Sequence, residues 1–286
     1  MIVILTALPV EQEAVLEHLV GVREHRHELG TLFDVGTLPG HPGREVAVGV
    51  TGQGTLAAAA LTERAIAEFS PAAVLFAGIA GGLRPWLEIG DVVVGTKVYA
   101  YQGGKSEDAE FLARPRSWDI SHELEQVARR VHRARAWHAD PAPEVCFEAI
   151  AAGDVVLNST TSSVADALHR NYNDAVAVEM ESAGFALAGH LAGRVPTAAV
   201  RGISDRADGT KSTTDRNGGQ LLAARNAAAF AVALAAAVQD NGSSAKASEP
   251  LPQVHNQNIA QTGANVGQQI GVNTGDFHQH VTREIR

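Results

Sequence analysis

Residues 175–208 read AVAVEMESAGFALAGHLAGRVPTAAVRGISDRAD. The apolar run 175–178 gives way to the acidic segment 179–181, and a stretch of small residues with helical spacing follows. A second apolar run, 197–203, ends in Ser204-Asp205. The stretch therefore predicts a strand, a helix and a second strand, with carboxylates at both strand ends. Because ligand sites form at the carboxyl ends of strands in α/β sheets, we expect a cleft for a small polar substrate at this edge.

The carboxylates that follow these two strands also have structural interpretations. Glu181 is well placed to open the next helix, since a negative charge suits a first helical turn. Asp205 is equally well placed as an N-cap or turn residue. The pattern alone leaves the functional and the structural interpretations open.

The composition is that of an ordinary globular protein. The chain has 286 residues, of which 45% are hydrophobic and 19% charged, enough for one large domain and an additional segment. A formal net charge of −9 argues against a nucleic-acid-binding surface. The single Cys146 excludes an internal disulfide and fits a reducing compartment. The start lacks signal-peptide features and no uninterrupted apolar run has the length of a membrane span, so we expect a cytoplasmic protein.

The first part of the chain alternates between predicted strands and helices. The apolar run 2–8 predicts a buried strand, and Glu11 lies where this strand passes into the first helix. Segments 31–38 and 44–51 predict a hairpin. A glycine-rich turn, 51–55, precedes an alanine-rich helix, and it suits either a bound phosphate or close packing of helix on sheet.

Two later strands also lead into segments of unusual composition. The run 73–77 leads into GIAGGL at 78–83, and the run 147–152 leads into GDVVLN at 153–158. Dense glycine at a strand end indicates backbone that passes close to a ligand or to another segment. Residues 99–115 are polar and contain glycine, which predicts a loop that flanks the cleft.

Three of these segments together carry a resemblance to a known family. VEMES at 178–182, followed by AVRGISDRAD at 199–208, resembles the signature of the nucleoside phosphorylase/nucleosidase superfamily, especially its methylthioadenosine/S-adenosylhomocysteine nucleosidase branch. TALPVEQEAV at 6–15 is similar to the segment that carries this family's catalytic glutamate, with Glu11 in its place. RGISDRADGTK with the alanine-rich helix after it resembles the nucleosidase-like effector domains of fungal and bacterial immune receptors. The resemblance covers roughly residues 1–238.

The resemblance implies a fold and an assembly. The expected fold is α/β, a three-layer α/β/α nucleoside phosphorylase-like domain over residues 1–239 with a mixed, twisted central sheet. A homodimer or higher homo-oligomer is expected, because this family commonly completes its site across an interface. No cofactor is implied. The histidines show no metal-ligand spacing such as HExxH, so no metal site is expected either.

The resemblance also implies roles for particular residues. Glu11 would be the base that activates water, and Asp205 the acid that protonates the leaving purine. Glu181 would hold the ribose hydroxyls and support positive charge on the sugar, with Met180 packed against it. The other implied substrate contacts are Glu179, Ile79, Ala80, Gly81, Val156, Leu157 and Ser204. An acidic residue at position 205 favours a 6-aminopurine.

The sequence departs from the family pattern at two positions. Ile79 occupies the place where the hydrolase branch usually has a hydroxyl residue that helps to hold the attacking water. Val156 occupies the place where an aromatic residue that stacks on the purine is common. Phosphorylases place a phosphate-binding serine and arginine near Gly78, and neither lies next to it here. The resemblance therefore favours hydrolysis over phosphorolysis.

The expected function is an adenine nucleoside or nucleotide N-ribohydrolase, an immune-type effector that its tail controls. The alternatives are a housekeeping methylthioadenosine/S-adenosylhomocysteine nucleosidase, a phosphate-dependent phosphorylase, and a nucleoside-binding scaffold without turnover. If the substrate carries phosphates, Arg201, Arg206 and Lys211 are the candidate contacts.

The last part of the chain has a different composition. Residues 240–253 have the composition of a flexible linker, and 254–286 form a tail rich in Asn, Gln and Gly. Segment 256–275 has no charged residue, which suits stacked amyloid-type assembly, and a candidate motif covers about 256–277. It resembles RHIM and fungal pseudo-palindromic signalling motifs, and implies a receptor partner with a matching motif. A disordered polar tail without function is the alternative, and in the isolated monomer we expect disorder. The near-palindromic centre consists of Asn265, Val266, Gly267, Gln268, Gln269, Ile270, Gly271, Val272 and Asn273.

Overall fold

The structure, a computed structural model, describes residues 1–238 except 109, 140 and 194. The predicted linker (240–253) and the predicted tail with its assembly motif (254–286) lie outside the described residues. The strands are β1 (Ile2–Thr6), β2 (Val20–Arg26), β3 (Leu32–Thr37), β4 (Glu45–Val50), β5 (Ala73–Gly82), β6 (Val92–Ala100), β7 (Gly104–Ser106), β8 (Phe111–Ala113), β9 (Arg116–Asp119), β10 (Val145–Ala152), β11 (Ala175–Glu179) and β12 (Thr197–Asp205). The helices are α1 (Pro9–Leu16), α2 (Thr55–Phe69), α3 (His122–Ala134), α4 (Ser163–Asn171), α5 (Ser182–Ala192), α6 (Lys211–Arg216) and α7 (Gly219–Ala237).

The central sheet is mixed, as the sequence predicted. Its strand order is β11-β10-β6-β12-β5-β1-β4-β3-β2, with β9 paired to β6. Strands β4, β1, β5 and β12 run parallel, so their carboxyl ends lie at one edge. The predicted hairpin of β3 and β4 is antiparallel. In addition β11 pairs with the end of β5, through Ala177 with Gly82 and Val178 with Gly81. This pairing places the EMES segment beside GIAGGL.

Helices cover both faces of the sheet. Helices α2 and α5 lie on one face, where Phe185 packs with Phe33 and Phe76 of the strands. Helices α1, α3 and α7 lie on the other face, where Phe230 and Leu234 are fully buried. The three-layer α/β/α arrangement is the predicted one, and dispersion contacts and apolar burial in these two layers stabilise it.

Two glycines permit the close approach of helices. A Cβ at Gly184 of α5 would collide with the backbone of Thr55 in α2, and a Cβ at Gly202 of β12 would collide with the backbone of Ala223 in α7. Helix α7 therefore lies directly on β12. By length and by its mean hydropathy of 1.4, α7 could also cross a membrane, but half of it is buried within the fold.

The loop predicted for residues 99–115 is wrong in part. Strand β6 continues to Ala100, β7 and β8 form a short antiparallel hairpin, and β9 pairs with the end of β6. These strands are short and mostly exposed, so no alternation of apolar and polar residues marks them in the sequence.

Candidate functional site

The carboxyl ends of β1, β5, β11 and β12 surround a cleft of ≈ 110 Å³. Predicted site residues come from β5, from the ends of β11 and β12, and from helix α1, which follows β1 and carries Glu11. The lining residues are Ala7, Leu8, Glu11, Gln53, Ile79, Ala80, Gly81, Val155, Val156, Leu157, Val178, Glu179, Met180, Glu181, Ser204, Asp205, Lys211 and Gln220. The cleft thus brings together the predicted catalytic and substrate-contacting residues, including the acidic residues 11, 179, 181 and 205.

A larger and shallower depression of ≈ 750 Å³ lies between β9 and α5. Trp118 and His190 line it, and Asp119 is the only carboxylate among its lining residues. Cleavage chemistry that needs a base, an acid and a charge-stabilising group has no such set there. The distribution of carboxylates, not the volume, therefore identifies the smaller cleft as the candidate active site.

Glu11 is held in place by the start of helix α1. Its Oε2 accepts the backbone N–H groups of Ala7 (2.7 Å) and Leu8 (2.9 Å), and its Oε1 accepts the N–H of Ile79 (2.9 Å). Burial raises the pKa of Glu11, while the charge of Arg201 and these three N–H groups act in the opposite direction. A buried carboxylate with a raised pKa is a stronger base than an exposed one.

Arg201 lies beneath the cleft and is fully buried. It forms an ion pair with Glu179, its Nη2 donates to Ser182 Oγ (3.0 Å), and its Cζ lies 4.5 Å from the centroid of the Phe76 ring. Its Nε and Nη1 have no hydrogen-bond partner in the described part of the chain. The predicted contact of Arg201 with a substrate phosphate is therefore wrong, because the guanidinium has no exposed surface to offer.

Gly78 has no side chain, which leaves room for Arg201 and Glu11 to lie close together. A Cβ on Gly78 would collide with Arg201 Nη1 and would lie 2.9 Å from Glu11 Oε1. The guanidinium and the carboxylate thus both approach the bare Cα of this glycine. The charge of Arg201 therefore acts on Glu11 from beneath the cleft.

Glu179 and Glu181 have different environments. Glu179 accepts the N–H groups of Glu181 (3.1 Å) and Ser182 (3.0 Å), which opens helix α5. Burial raises the pKa of Glu179 to about 7; Arg201 opposes this rise and the charge of Glu181 adds to it. Glu181 Oε2 lies 3.7 Å from Arg201 Nη2. Glu179 thus holds Arg201 and the start of α5 in place beneath the cleft, and it also contributes to the lining of the cleft.

The glycine-rich turn 51–55 uses its backbone donors on the protein's own carboxylates. Gly54 N–H donates to Glu181 Oε1 (3.1 Å), and Thr55 N–H donates to Asp154 Oδ1 (2.7 Å). A helix N-terminus favours negative charge, and here the two side chains supply it. The turn therefore orients Glu181 and anchors the segment that follows β10.

Asp205 ends β12 and is almost completely buried. Its Oδ1 accepts the N–H of Ala207 (2.9 Å), and its Oδ2 accepts Ser204 Oγ (2.9 Å) and Lys211 Nζ (2.7 Å). The close lysine was not predicted; the sequence analysis gave Lys211 only as a phosphate contact. A Cβ at Gly81 would lie 3.1 Å from Asp205 Oδ1, so this glycine leaves room for the carboxylate.

Apolar side chains form the remaining walls. Met180, Ile79 and Leu157 line the cleft, and Val156, at 57% exposure, lies at its rim. The predicted site residues did not include the lining residues Ala7, Leu8, Gln53, Val155, Val178 and Gln220. Gln53 lies in the glycine-rich turn that the sequence did single out, whereas no sequence signal marked Gln220. Arg206 is exposed, donates to the carbonyl of Pro85 (3.2 Å) and does not line the cleft.

Among the described residues, no group of three or more His, Cys, Asp and Glu side chains is arranged to hold a metal ion. Arg201 and Lys211 are the cations beside the carboxylates of the cleft. A cleft with this set can move protons and stabilise a cationic sugar.

Comparison with known proteins gives the family. The sequence model of the phosphorylase superfamily matches residues 1–238. The chain belongs to the phosphorylase superfamily. The match covers the whole described domain, including all four strand ends that form the cleft. Within the superfamily, the chain is 30% identical over 179 residues to the ATP nucleosidase Cap17 of Escherichia coli, which covers 55% of this chain and 35% of that protein. The chain thus spans about a third of the length of this relative.

Other members of the superfamily match over nearly their full length. The methylthioadenosine/S-adenosylhomocysteine nucleosidase of Tolumonas auensis is 27% identical over 225 residues, 77% of this chain and 93% of that protein. The nucleosidase of Neisseria meningitidis, solved with methylthio-immucillin-A, has a TM-score of 0.69 at 24% identity and covers 82% of this chain and 97% of its own. The futalosine hydrolase of Helicobacter pylori has a TM-score of 0.68 at 25% identity, with coverages of 82% and 96%. The fold is that of the nucleosidases.

Proposed function

We propose that this chain is a purine nucleoside or nucleotide N-ribohydrolase that releases free adenine. The observation that carries the proposal is the convergence of Glu11, Glu181 and Asp205 in one cleft, each of them buried. Glu11 lies in the helix after β1, Glu181 lies in the turn after β11, and Asp205 ends β12. The relatives that match most of the domain are nucleosidases by name, which supports the same reaction.

The carboxylate of Glu11 would activate the attacking water. The free Nη1 of Arg201 and the Oε1 of Glu11 approach Gly78 together. A water in the cleft can donate a proton to Glu11 as its oxygen bonds to C1′ of the sugar. Arg201 is fully buried behind Glu11, so it would act on this carboxylate through its charge and not through contact with the water.

Glu181 would stabilise the sugar. Cleavage of an N-glycosidic bond passes through a sugar with oxocarbenium character, and a nearby carboxylate favours that positive charge. Glu181 Oε1 is oriented by the Gly54 N–H, and a carboxylate accepts hydrogen bonds from ribose hydroxyls. Met180 lines the same wall and offers an apolar surface for the sugar ring.

The Asp205 end would receive the purine. A carboxylate oxygen accepts a hydrogen bond from a 6-amino group, so the residue favours adenine over a 6-oxopurine. The departing base needs a proton because its negative charge is otherwise poorly stabilised. Asp205 would donate this proton to N7 of the base, the role that the resemblance implies for it.

We also propose that the enzyme is an immune-type effector under the control of tail assembly. The similarity to Cap17, an ATP nucleosidase by name, supports a nucleotide substrate, and the near-palindrome at 265–273 supports assembly. The housekeeping alternative rests on the Tolumonas auensis nucleosidase, which aligns with this chain over 93% of its length. Phosphorolysis and a scaffold without turnover remain the other candidates.

A substrate panel tests the proposal. The purified chain would be incubated with methylthioadenosine, S-adenosylhomocysteine, adenosine, AMP, ATP and inosine, with and without phosphate, and the free base separated by chromatography. Adenine released from ATP or AMP without phosphate supports the effector function. Adenine from the thio-nucleosides alone supports the housekeeping function. A strict need for phosphate supports a phosphorylase, and no base from any substrate supports the scaffold.

A further inference from the structure

Lys211 is the only cationic side chain among the described residues that line the cleft. Its side chain is 26% exposed, whereas Arg201 is fully buried beneath the cleft and Arg206 does not line it. Of the three phosphate contacts that the sequence predicted, Lys211 is therefore the one in a position to touch a bound substrate.

The ammonium group of Lys211 has donors available for a ligand. Its Nζ donates to Asp205 Oδ2 (2.7 Å), which is its one hydrogen-bond acceptor within the described part of the chain. An ammonium group carries three N–H donors, so two remain. Gln220, in the first turn of α7, lines the same cleft and adds an uncharged amide donor.

The stereochemistry of a nucleoside brings its 5′ carbon to the side of the cleft where Asp205 lies. In a β-ribonucleoside the 2′ and 3′ hydroxyl groups lie on the sugar face opposite the base, and the attacking water approaches C1′ from that face as well. Glu181 and Glu11 are the proposed partners of these groups. The base and C5′ share the other face, and in the anti conformer the imidazole ring of the purine lies towards the 5′ oxygen. A cation beside the carboxyl group that contacts N7 is therefore within reach of a 5′-phosphate.

We propose that Lys211 makes this chain selective for adenine nucleotides with a 5′-phosphate, by binding the phosphate next to the 5′ oxygen while Asp205 contacts the purine. This inference rests on the proposed function and names its substrate class. The other charged residues of the cleft lining are all acidic, and like charges repel a phosphate. A single ammonium group therefore decides whether the cleft favours a nucleotide over a nucleoside.

AMP and adenosine form a matched pair that tests this role, because they differ only in the 5′-phosphate. We expect wild type to have the higher kcat/KM on AMP. In Lys211→Met the ratio of kcat/KM on AMP to kcat/KM on adenosine should fall by about 10–10²-fold, the effect of losing a hydrogen bond between charged groups. The ratio cancels any loss that the broken ion pair with Asp205 causes on both substrates. Lys97→Met, on β6 outside the cleft, should keep the wild-type ratio.

Lys211→Arg separates a charge contact from an effect of side-chain shape. Arginine keeps the positive charge and binds phosphate, so this variant should keep most of the preference for AMP that Lys211→Met loses. A ratio as low in Lys211→Arg as in Lys211→Met would overturn the inference. An unchanged ratio in Lys211→Met would overturn it as well.

A binding measurement decides the case in which Lys211→Met releases no adenine from either substrate. Glu11→Gln lacks the proposed base and should bind without cleavage, so calorimetry can give the Kd of AMP and of adenosine with and without Lys211→Met in that background. Weaker binding of AMP alone supports the inference, and an equal change for both ligands contradicts it.

The wild-type protein separates this inference from the proposed function. Higher kcat/KM on adenosine or on methylthioadenosine than on AMP overturns only the inference, because base release itself is then retained. No base from any of these substrates overturns the proposed function.

Discussion

At the scale of single residues, the site is a set of buried charges that support one another. Arg201 pairs with Glu179 and approaches Glu11, and Lys211 pairs with Asp205. A buried charge without a partner costs several kcal/mol of folding free energy. Each acidic residue of the cleft is therefore held by a cation or by backbone donors, and these same contacts set its orientation for catalysis.

Glu181 should discriminate ribose from 2′-deoxyribose. Hydrogen bonds to a charged group contribute about 1.5–3 kcal/mol, so Glu181→Gln should lower kcat/KM on the ribonucleoside by about 10–10²-fold. On the 2′-deoxy analogue the loss should be smaller, because one hydroxyl partner is already missing. Steady-state kinetics on both substrates measure the difference. Equal losses of kcat/KM on the ribonucleoside and on its 2′-deoxy analogue would contradict the contact between Glu181 and the 2′-hydroxyl group.

Glu179 should make the fold less stable as pH rises. Burial raises its pKa from 4.5 to about 7, so the folded state binds a proton that the unfolded state has lost in this interval. The stability linked to this proton is complete below pH 4.5 and is lost as pH approaches 7. Tm measured across this range should fall more steeply for wild type than for Glu179→Gln. Parallel curves of Tm against pH for the two proteins would contradict the raised pKa of Glu179.

At the scale of secondary-structure elements, the ends of the strands determine where the residues of the cleft lie. The parallel strands β1, β5 and β12 end at one edge of the sheet, and β11 reaches it by pairing with β5. The glycines of β5 matter here because they leave room for side chains from neighbouring strands. Gly78 admits Arg201 and Glu11, and Gly81 admits Asp205.

Gly78→Ala should therefore remove activity while a similar change nearby does not. Its Cβ would collide with Arg201 and lie 2.9 Å from Glu11 Oε1, both held by other contacts. Gly95→Ala on β6 is the control, because its Cβ would meet mainly the flexible end of Ile150. We expect base release by Gly78→Ala to fall by about 10²-fold and that of Gly95→Ala to be retained. Full activity of both variants would contradict the proposed role of Gly78.

The sequence predicted the elements that carry strong local patterns. The strands of 175–208 and the hairpin of β3 and β4 appeared where the apolar runs lay, because buried strands need such runs. The exposed strands β7 and β8 were missed, since they bury too little apolar surface to leave a pattern. The pair of Lys211 with Asp205 could not be predicted either. It depends on the turn between β12 and α6, whose path no local pattern specifies.

At the scale of the whole molecule, the described domain is one part of a longer chain with a distinct tail. The domain matches the phosphorylase superfamily from residue 1 to 238, and the tail composition changes at about residue 240. In the proposed effector function, assembly through the tail would control base release by concentrating the domains.

The palindromic motif should be necessary for that control. Val266 and Val272 occupy mirrored positions about Gln269, and apolar side chains at such positions form the dry seam of a stacked assembly. Val266→Asp/Val272→Asp should abolish thioflavin fluorescence and fibre diffraction, and base release should drop to that of residues 1–238 alone. A variant with two serine-to-aspartate changes in the linker, at 243 and 244, is the control. Fibres from the valine variant would contradict the motif.

The most direct test of the central claim is the release of free base by wild type and by Glu11→Gln/Asp205→Asn. Both proteins would be incubated without phosphate with the best substrate of the panel, and adenine would be measured by chromatography. We predict adenine from wild type and none above background from the double variant, because it has lost both the water-activating base and the carboxyl group at the purine end of the cleft. Equal release by the two proteins would contradict the account, since the cleft would then not be the place where the bond is cleaved.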